Sequence, residues 1–96
     1  MIEEVTQEEI VSTAISDYFA TGDPSGVREG LLLVSRSPKV DARDRCSCFC
    51  LASHLSATLW SCHSDPENAD FYIERHEAEI AFQREGVLLA LAQYAG

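Results

Sequence analysis

The stretch Cys46-Ser47-Cys48-Phe49-Cys50-Leu51-Ala52-Ser53-His54-Leu55-Ser56-Ala57-Thr58-Leu59-Trp60-Ser61-Cys62-His63-Ser64 runs for 19 residues without a charged side chain. A run of that length suggests a membrane span, but eight of its side chains are Ser, Thr or His, and burying so many polar groups in lipid is costly. It reads instead as a segment buried inside a protein. Cys48, Leu51, Ala52, Leu55, Leu59 and Cys62 recur at offsets 0, 3, 4, 7, 11 and 14, a heptad-type seam along one face of a helix. The opposite face holds Cys46, Cys50, Ala57 and Ser61, all small, with His54 among them, which predicts a helix buried on both sides at close backbone distance. A strand at 46–51 is the competing reading, because Cys46, Cys48 and Cys50 alternate. Asp41 is placed to cap the helix, which is expected over 42–62.

Start and stop signals flank this segment. Thr6 with Glu9 forms a capping box, and Val5 with Ile10 a hydrophobic staple, so a helix is expected to begin at Gln7. Val11, Ala14, Ile15 and Tyr18 give it one apolar face, and Gly22 stops it at 21. Asp23-Pro24 supplies a cap and a proline at the first helical position, and Ser37-Pro38 ends the next helix, expected over 24–35. Gly26 and Gly30 each weaken that helix by about 1 kcal/mol, leaving it dependent on packing of Val27, Leu31 and Val34. Ser64-Asp65-Pro66 opens a last helix over 66–95. Unbroken, it would be about 45 Å long. A compact chain of this size is about 32 Å across, so the helix either bends near Gly86, the favoured reading, or projects its end into a partner. The chain of 96 residues is too short for two cores. The expected fold is all-α, a single domain over 1–96 built as a compact bundle of about four helices.

With 16 acidic and 7 basic residues, the net charge of -9 repels phosphate backbones and argues against direct nucleic-acid binding. The charge is unevenly laid out. Residues 1–26 hold six acids and no base, 27–45 three acids and five bases, and 65–96 seven acids and two bases. The N-terminal Met1-Ile2-Glu3-Glu4 has neither the basic region nor the apolar region of a secretory signal, so a cytoplasmic protein with free thiols, and no membrane attachment, is expected.

Signals for catalysis are weak. There is no G-x-S-x-G elbow, the single lysine, Lys39, lies outside any glycine-rich loop, and Glu77 and Glu79 point to different helix faces. His76 falls on an apolar face with Ile73 and Ile80 and reads as a core histidine. The chain is therefore expected to be no enzyme and to need no cofactor. A second reading starts from Cys46, Cys50 and His54 at i, i+4 and i+8, which with Cys62 could hold zinc in a metal-binding regulatory protein. Ligands on one rigid helix reach tetrahedral geometry poorly, and buried thiols serve as small apolar packing groups, so packing is preferred.

The last helix carries the most suggestive pattern. Glu67, Asp70, Glu74 and Glu77 follow offsets 0, 3, 7 and 10, about one carboxylate per turn. In spacing and sign the row is like a row of phosphates; a solvated outer face is the plainer reading of any acidic helix. A basic protein partner, even one built to grip nucleic acid, could be occupied by it, with Glu3, Glu4, Glu8 and Glu9 extending the field. Beside the row runs a second apolar stripe, Phe71, Ala78, Phe82 and Leu89, opposite a core stripe of Ala69, Ile73, Ile80, Val87 and Tyr94. Two stripes on one helix in so small a bundle predict that the Phe71/Phe82 stripe meets a target or forms a homodimer. The leading expectation is a non-enzymatic inhibitory binding protein. Phage-encoded inhibitors of host defence and toxin-neutralising immunity proteins illustrate this class by analogy of size and charge.

Overall fold

Residues 4–96 are described by the computed structural model, in which α1 spans Gln7–Thr21, α2 Val27–Ser35, α3 Ala42–Ser64 and α4 Ala69–Ala95. Thr6 caps α1 by accepting the Glu9 amide at 3.2 Å, and Gly22, at φ 79°, closes it through its N–H to the Tyr18 carbonyl. The staple does not close, since Val5 and Ile10 both remain exposed. Expected and observed starts of α2 differ by three residues. Asp23 spends its carboxylate on the Ser25 amide at 3.0 Å, and Gly26 adopts φ 73°, a left-handed conformation that no helix passes through, so helical hydrogen bonding begins only at Val27.

The segment from Cys46 is helical throughout, so the strand alternative is not realised. The helix continues to Ser64, two residues past the expected end. There Asp65 takes over, donating its backbone N–H to Ser61 and accepting hydrogen bonds from Asn68 at 2.9 Å and the Tyr72 hydroxyl at 2.8 Å. Those two bonds hold the Asp65 carboxyl below its ordinary range. Pro66–Asn68 form a 3-10 turn that reverses the chain into α4.

α3 and α4 make a long hairpin, α2 packs on α3, and α1 lies on α2 and α4. The core sits at one end of the hairpin: Val11, Ile15 and Tyr18 of α1, Val27, Leu31 and Val34 of α2, Cys48, Leu51, Ala52 and Leu55 of α3, and Val87, Ala90, Leu91 and Tyr94 of α4. α3 is not buried on both sides as expected. Cys46 and Ala57 are exposed and Cys50, His54 and Ser61 only half-buried, so that face is only partly covered. Burial pushes the Cys48 thiol up to about 12, with Asp44 adding to it, consistent with a packing role.

The expected break near Gly86 is absent. α4 runs unbroken for 27 residues, and the molecule lengthens to 49 Å instead. Gly86 serves another purpose: a Cβ there would lie 2.7 Å from the Ser47 Cβ and closer still to its hydroxyl. The glycine lets the two helix backbones approach. Near the same end Gln93 grips the start of α3 with both ends of its amide, accepting the Asp41 N–H and donating to the buried Asp44 carboxylate, each at 2.6 Å.

Gly86→Ala is expected to destabilise the fold by about 1–2 kcal/mol in urea denaturation, the overpacking outweighing alanine's better helix propensity. Adding Ser47→Gly should recover most of the loss, whereas Ser47→Ala, which keeps the clashing Cβ, should not.

Candidate functional site

Successive residues of α4 are rotated by about 100°, so Asp70, Glu74 and Glu77 share one strip and Phe71, Ala78, Phe82 and Leu89 the next. Glu67 sits in the 3-10 turn just before them. All four acids are exposed, and among the described residues none of them makes an ion pair. Phe71 is 55 % and Phe82 80 % exposed. The Arg75 guanidinium lies over the Phe71 ring at 5.8 Å, a cation held on the aromatic strip.

The N-terminal acids fall elsewhere. Glu8 and Glu9 line a hollow with Lys39 and Ala95, beside the C-terminal end of α4. Glu77 and Ala95 are about 27 Å apart along the helix at about 1.5 Å per residue, so Glu8 and Glu9 do not extend the acidic row. Glu4 is exposed, and Glu3 lies outside the described residues.

Beyond the core, the seam of α3 and the core stripe of α4 continue without a cover. α1 ends at Thr21, short of the hairpin turn, and leaves Leu59 52 % and Ile73 46 % exposed, although both were expected in the core. Tyr18, Leu55, Leu59, Ile73, Ile80 and Glu77 are among the residues around the resulting groove, a cavity of about 370 Å³. The Glu77 carboxylate at its edge joins the groove to the acidic row.

A line of polar side chains runs through the wall of this groove. His76 is buried, as its apolar neighbours predicted. Its Nε2 meets the Tyr18 hydroxyl, and its Nδ1 meets His54 Nδ1 at 2.8 Å with the two rings stacked. Thr58 donates to the His54 carbonyl at 2.9 Å and lies 3.3 Å from its Nδ1. Two imidazole nitrogens facing each other share one proton. When Tyr18 donates to His76 Nε2, His76 Nδ1–H donates to His54, and both rings are neutral. Burial holds the His76 imidazole below its ordinary value, His54 lowers it further, and Glu79 opposes both. Burial, aided by Glu77, pushes the Tyr18 hydroxyl up to about 12. Sequence periodicity located His76 but not His54 as its partner, because the two stand on different helices.

The alternative metal ligands are not brought together. His54 is turned to His76, and the Cys62 thiol reaches the Ala69 carbonyl at 3.8 Å, leaving Cys46 and Cys50 as a pair with sulfurs 3.9 Å apart. Burial and the neighbouring thiol raise the Cys50 value, which disfavours a thiolate. Among the described residues, no group of three or more His, Cys, Asp or Glu side chains is placed to hold a metal ion. Nor is any helix there long and apolar enough to cross a membrane. Comparison with protein-family models, with curated proteins and with solved structures finds no match.

Because the folded chain favours neutral His76, its contribution to stability is complete above the unfolded value of about 6.5 and declines as pH falls from there toward the lower folded value. The melting temperature is expected to drop between about pH 7 and pH 5, and His76→Gln should flatten that drop. An identical pH profile in the variant would assign the acid sensitivity to other groups.

Proposed function

We propose that this chain is a non-enzymatic cytoplasmic binding protein that holds a basic protein partner against α4 and so inhibits or regulates it. One observation carries the reading: Phe71 and Phe82, large and exposed, lie directly beside a row of carboxylates that, among the described residues, make no ion pair. Apolar side chains at such exposure mark contact surfaces, and burying a phenylalanine contributes about 1.5–3 kcal/mol. The carboxylates add long-range attraction and orientation for Lys and Arg on the partner. Their regular spacing suits a partner whose own basic groups are arranged to follow a phosphate backbone, making the chain a nucleic-acid mimic toward it.

The open groove supports the same reading. Its apolar walls adjoin the acidic strip at Glu77, so a partner surface with basic residues around a bulky apolar side chain would match both. A second copy of this chain, packing through Phe71 and Phe82, is the alternative occupant of the aromatic strip, although two acidic rows would then be drawn together.

The test compares the native chain with two variants in cross-linking capture from the cells that make it, followed by affinity measurement with the purified captured protein. Replacing Glu67, Asp70, Glu74 and Glu77 by their amides is expected to weaken binding by about tenfold or more and to flatten its salt dependence. Phe82→Glu should abolish binding while leaving the helical circular dichroism intact. Unchanged affinity of the amide variant at low ionic strength would overturn the electrostatic reading. A dimer in sedimentation equilibrium that Phe82→Glu dissociates would reassign the strip to self-association.

A further inference from the structure

The bases of this acidic chain are concentrated in residues 27–45, and they leave one cleft of opposite character between the end of α2 and the first turns of α3. It measures about 330 Å³ and is lined chiefly by Leu32, Ser35, Arg36, Arg45, Cys46 and Phe49. Two of these side chains are guanidinium groups, and no carboxylate lines the cleft. Among the described residues the ion pairs are Arg28–Glu29 and Arg43–Asp44, and neither Arg36 nor Arg45 takes part in one. Asp44, the acid nearest to Arg45 in sequence, is turned into the core on Gln93.

Arg45 is also incompletely satisfied by the fold. Its Nε–H is buried without an acceptor. Buried donors are almost always paired, and a guanidinium offers its Nε–H and an Nη–H as a fork that matches two oxygens of one carboxylate or phosphate. The cleft is lined by the same Arg45 whose Nε–H the fold leaves unspent. The Ser35 hydroxyl does not compete as a donor, since it bonds to the Leu32 carbonyl at 2.7 Å. Leu32 and Phe49 form the apolar part of the lining, and Phe49 is 55 % exposed with no covering element. The size falls at the lower end for small-molecule pockets.

We propose that this cleft binds a small organic oxyanion, a carboxylate or phosphate monoester on an apolar body, with Arg36 and Arg45 on the oxygens and Leu32 and Phe49 against the body. None of its residues belongs to the α4 surface, so the two proposals stand or fall separately. The full-length chain is titrated with inorganic phosphate, phenyl phosphate and benzoate at constant ionic strength, following proton–nitrogen NMR signals that include the arginine Nε–H groups. Saturable shifts of the Arg45 Nε–H and of the amides around Leu32 and Phe49 are expected, with phenyl phosphate or benzoate binding more tightly than inorganic phosphate. The preferred head group identifies the anion as phosphate or carboxylate. Arg36→Gln and Arg45→Gln should each weaken binding about tenfold, and Arg45→Lys, which keeps the charge but loses the fork, should also weaken it. The proposal is overturned if no organic anion saturates the signals, if the shifts lie away from the cleft, or if Arg36→Gln, at an exposed position that leaves folding undisturbed, binds as the native chain does.

Discussion

The close approach of α3 to α4 at Gly86 sets the spacing on which the remaining packing depends. With only a hydrogen opposite Ser47, the helices come near enough for Cys48, Leu51, Ala52 and Leu55 to share a core with Val87, Ala90, Leu91 and Tyr94. Gln93 fixes the register at that end by holding the start of α3 through Asp41 and Asp44. Once the hairpin is set, α2 lies against α3 and α1 against α2 and α4. The pairs are unequal in length: α3 and α4 have 23 and 27 residues, α1 and α2 only 15 and 9. The short helices cover one end of the hairpin and leave the other bare. The exposed seam and its groove follow from that mismatch, with no loss of amphipathic pattern in α3 or α4.

The same mismatch explains how much was legible in the sequence. Periodicity identifies residues that share a face, and it placed Cys48, Leu51, Ala52, Leu55, Val87 and Tyr94 in the core correctly. It assigned Leu59 and Ile73 to the same faces with equal justification, yet burial also needs a covering element, and the length of α1 is a tertiary fact. Local caps were readable at Thr6 and Gly22, whose signals act within one turn. Asp23-Pro24 misled because Gly26, three residues on, took a conformation that overrides a favourable start. Gly86 stands out as a glycine within a helix, but the bend this suggests does not form: its role depends on Ser47, 39 positions away, and no local rule connects them. For the candidate site, the acidic and aromatic strips of α4 were visible as offsets on one helix. The histidine pair, the separation of Glu8 and Glu9 from the row, and the arginine cleft all depend on contacts between helices.

Charge is divided along the same architectural lines. Among the described residues, Glu67, Asp70, Glu74 and Glu77 at the hairpin end of α4 make no ion pair, and neither do Arg36 and Arg45 where α2 meets α3. A chain that merely needed solubility could have interleaved the two signs and paired them.

Trp60, the single tryptophan, lies 70 % exposed on the bare end of α3, with the His63 ring 6.5 Å away. Most tryptophans report folding because their indole leaves water when the core forms. Here the indole is already hydrated in the folded chain, so its fluorescence is nearly silent toward unfolding. The same indole is well placed to respond when another molecule covers the hairpin tip, where the His63 ring stands beside it. The protein thus carries an optical probe for encounter, located where its own fold provides no shelter.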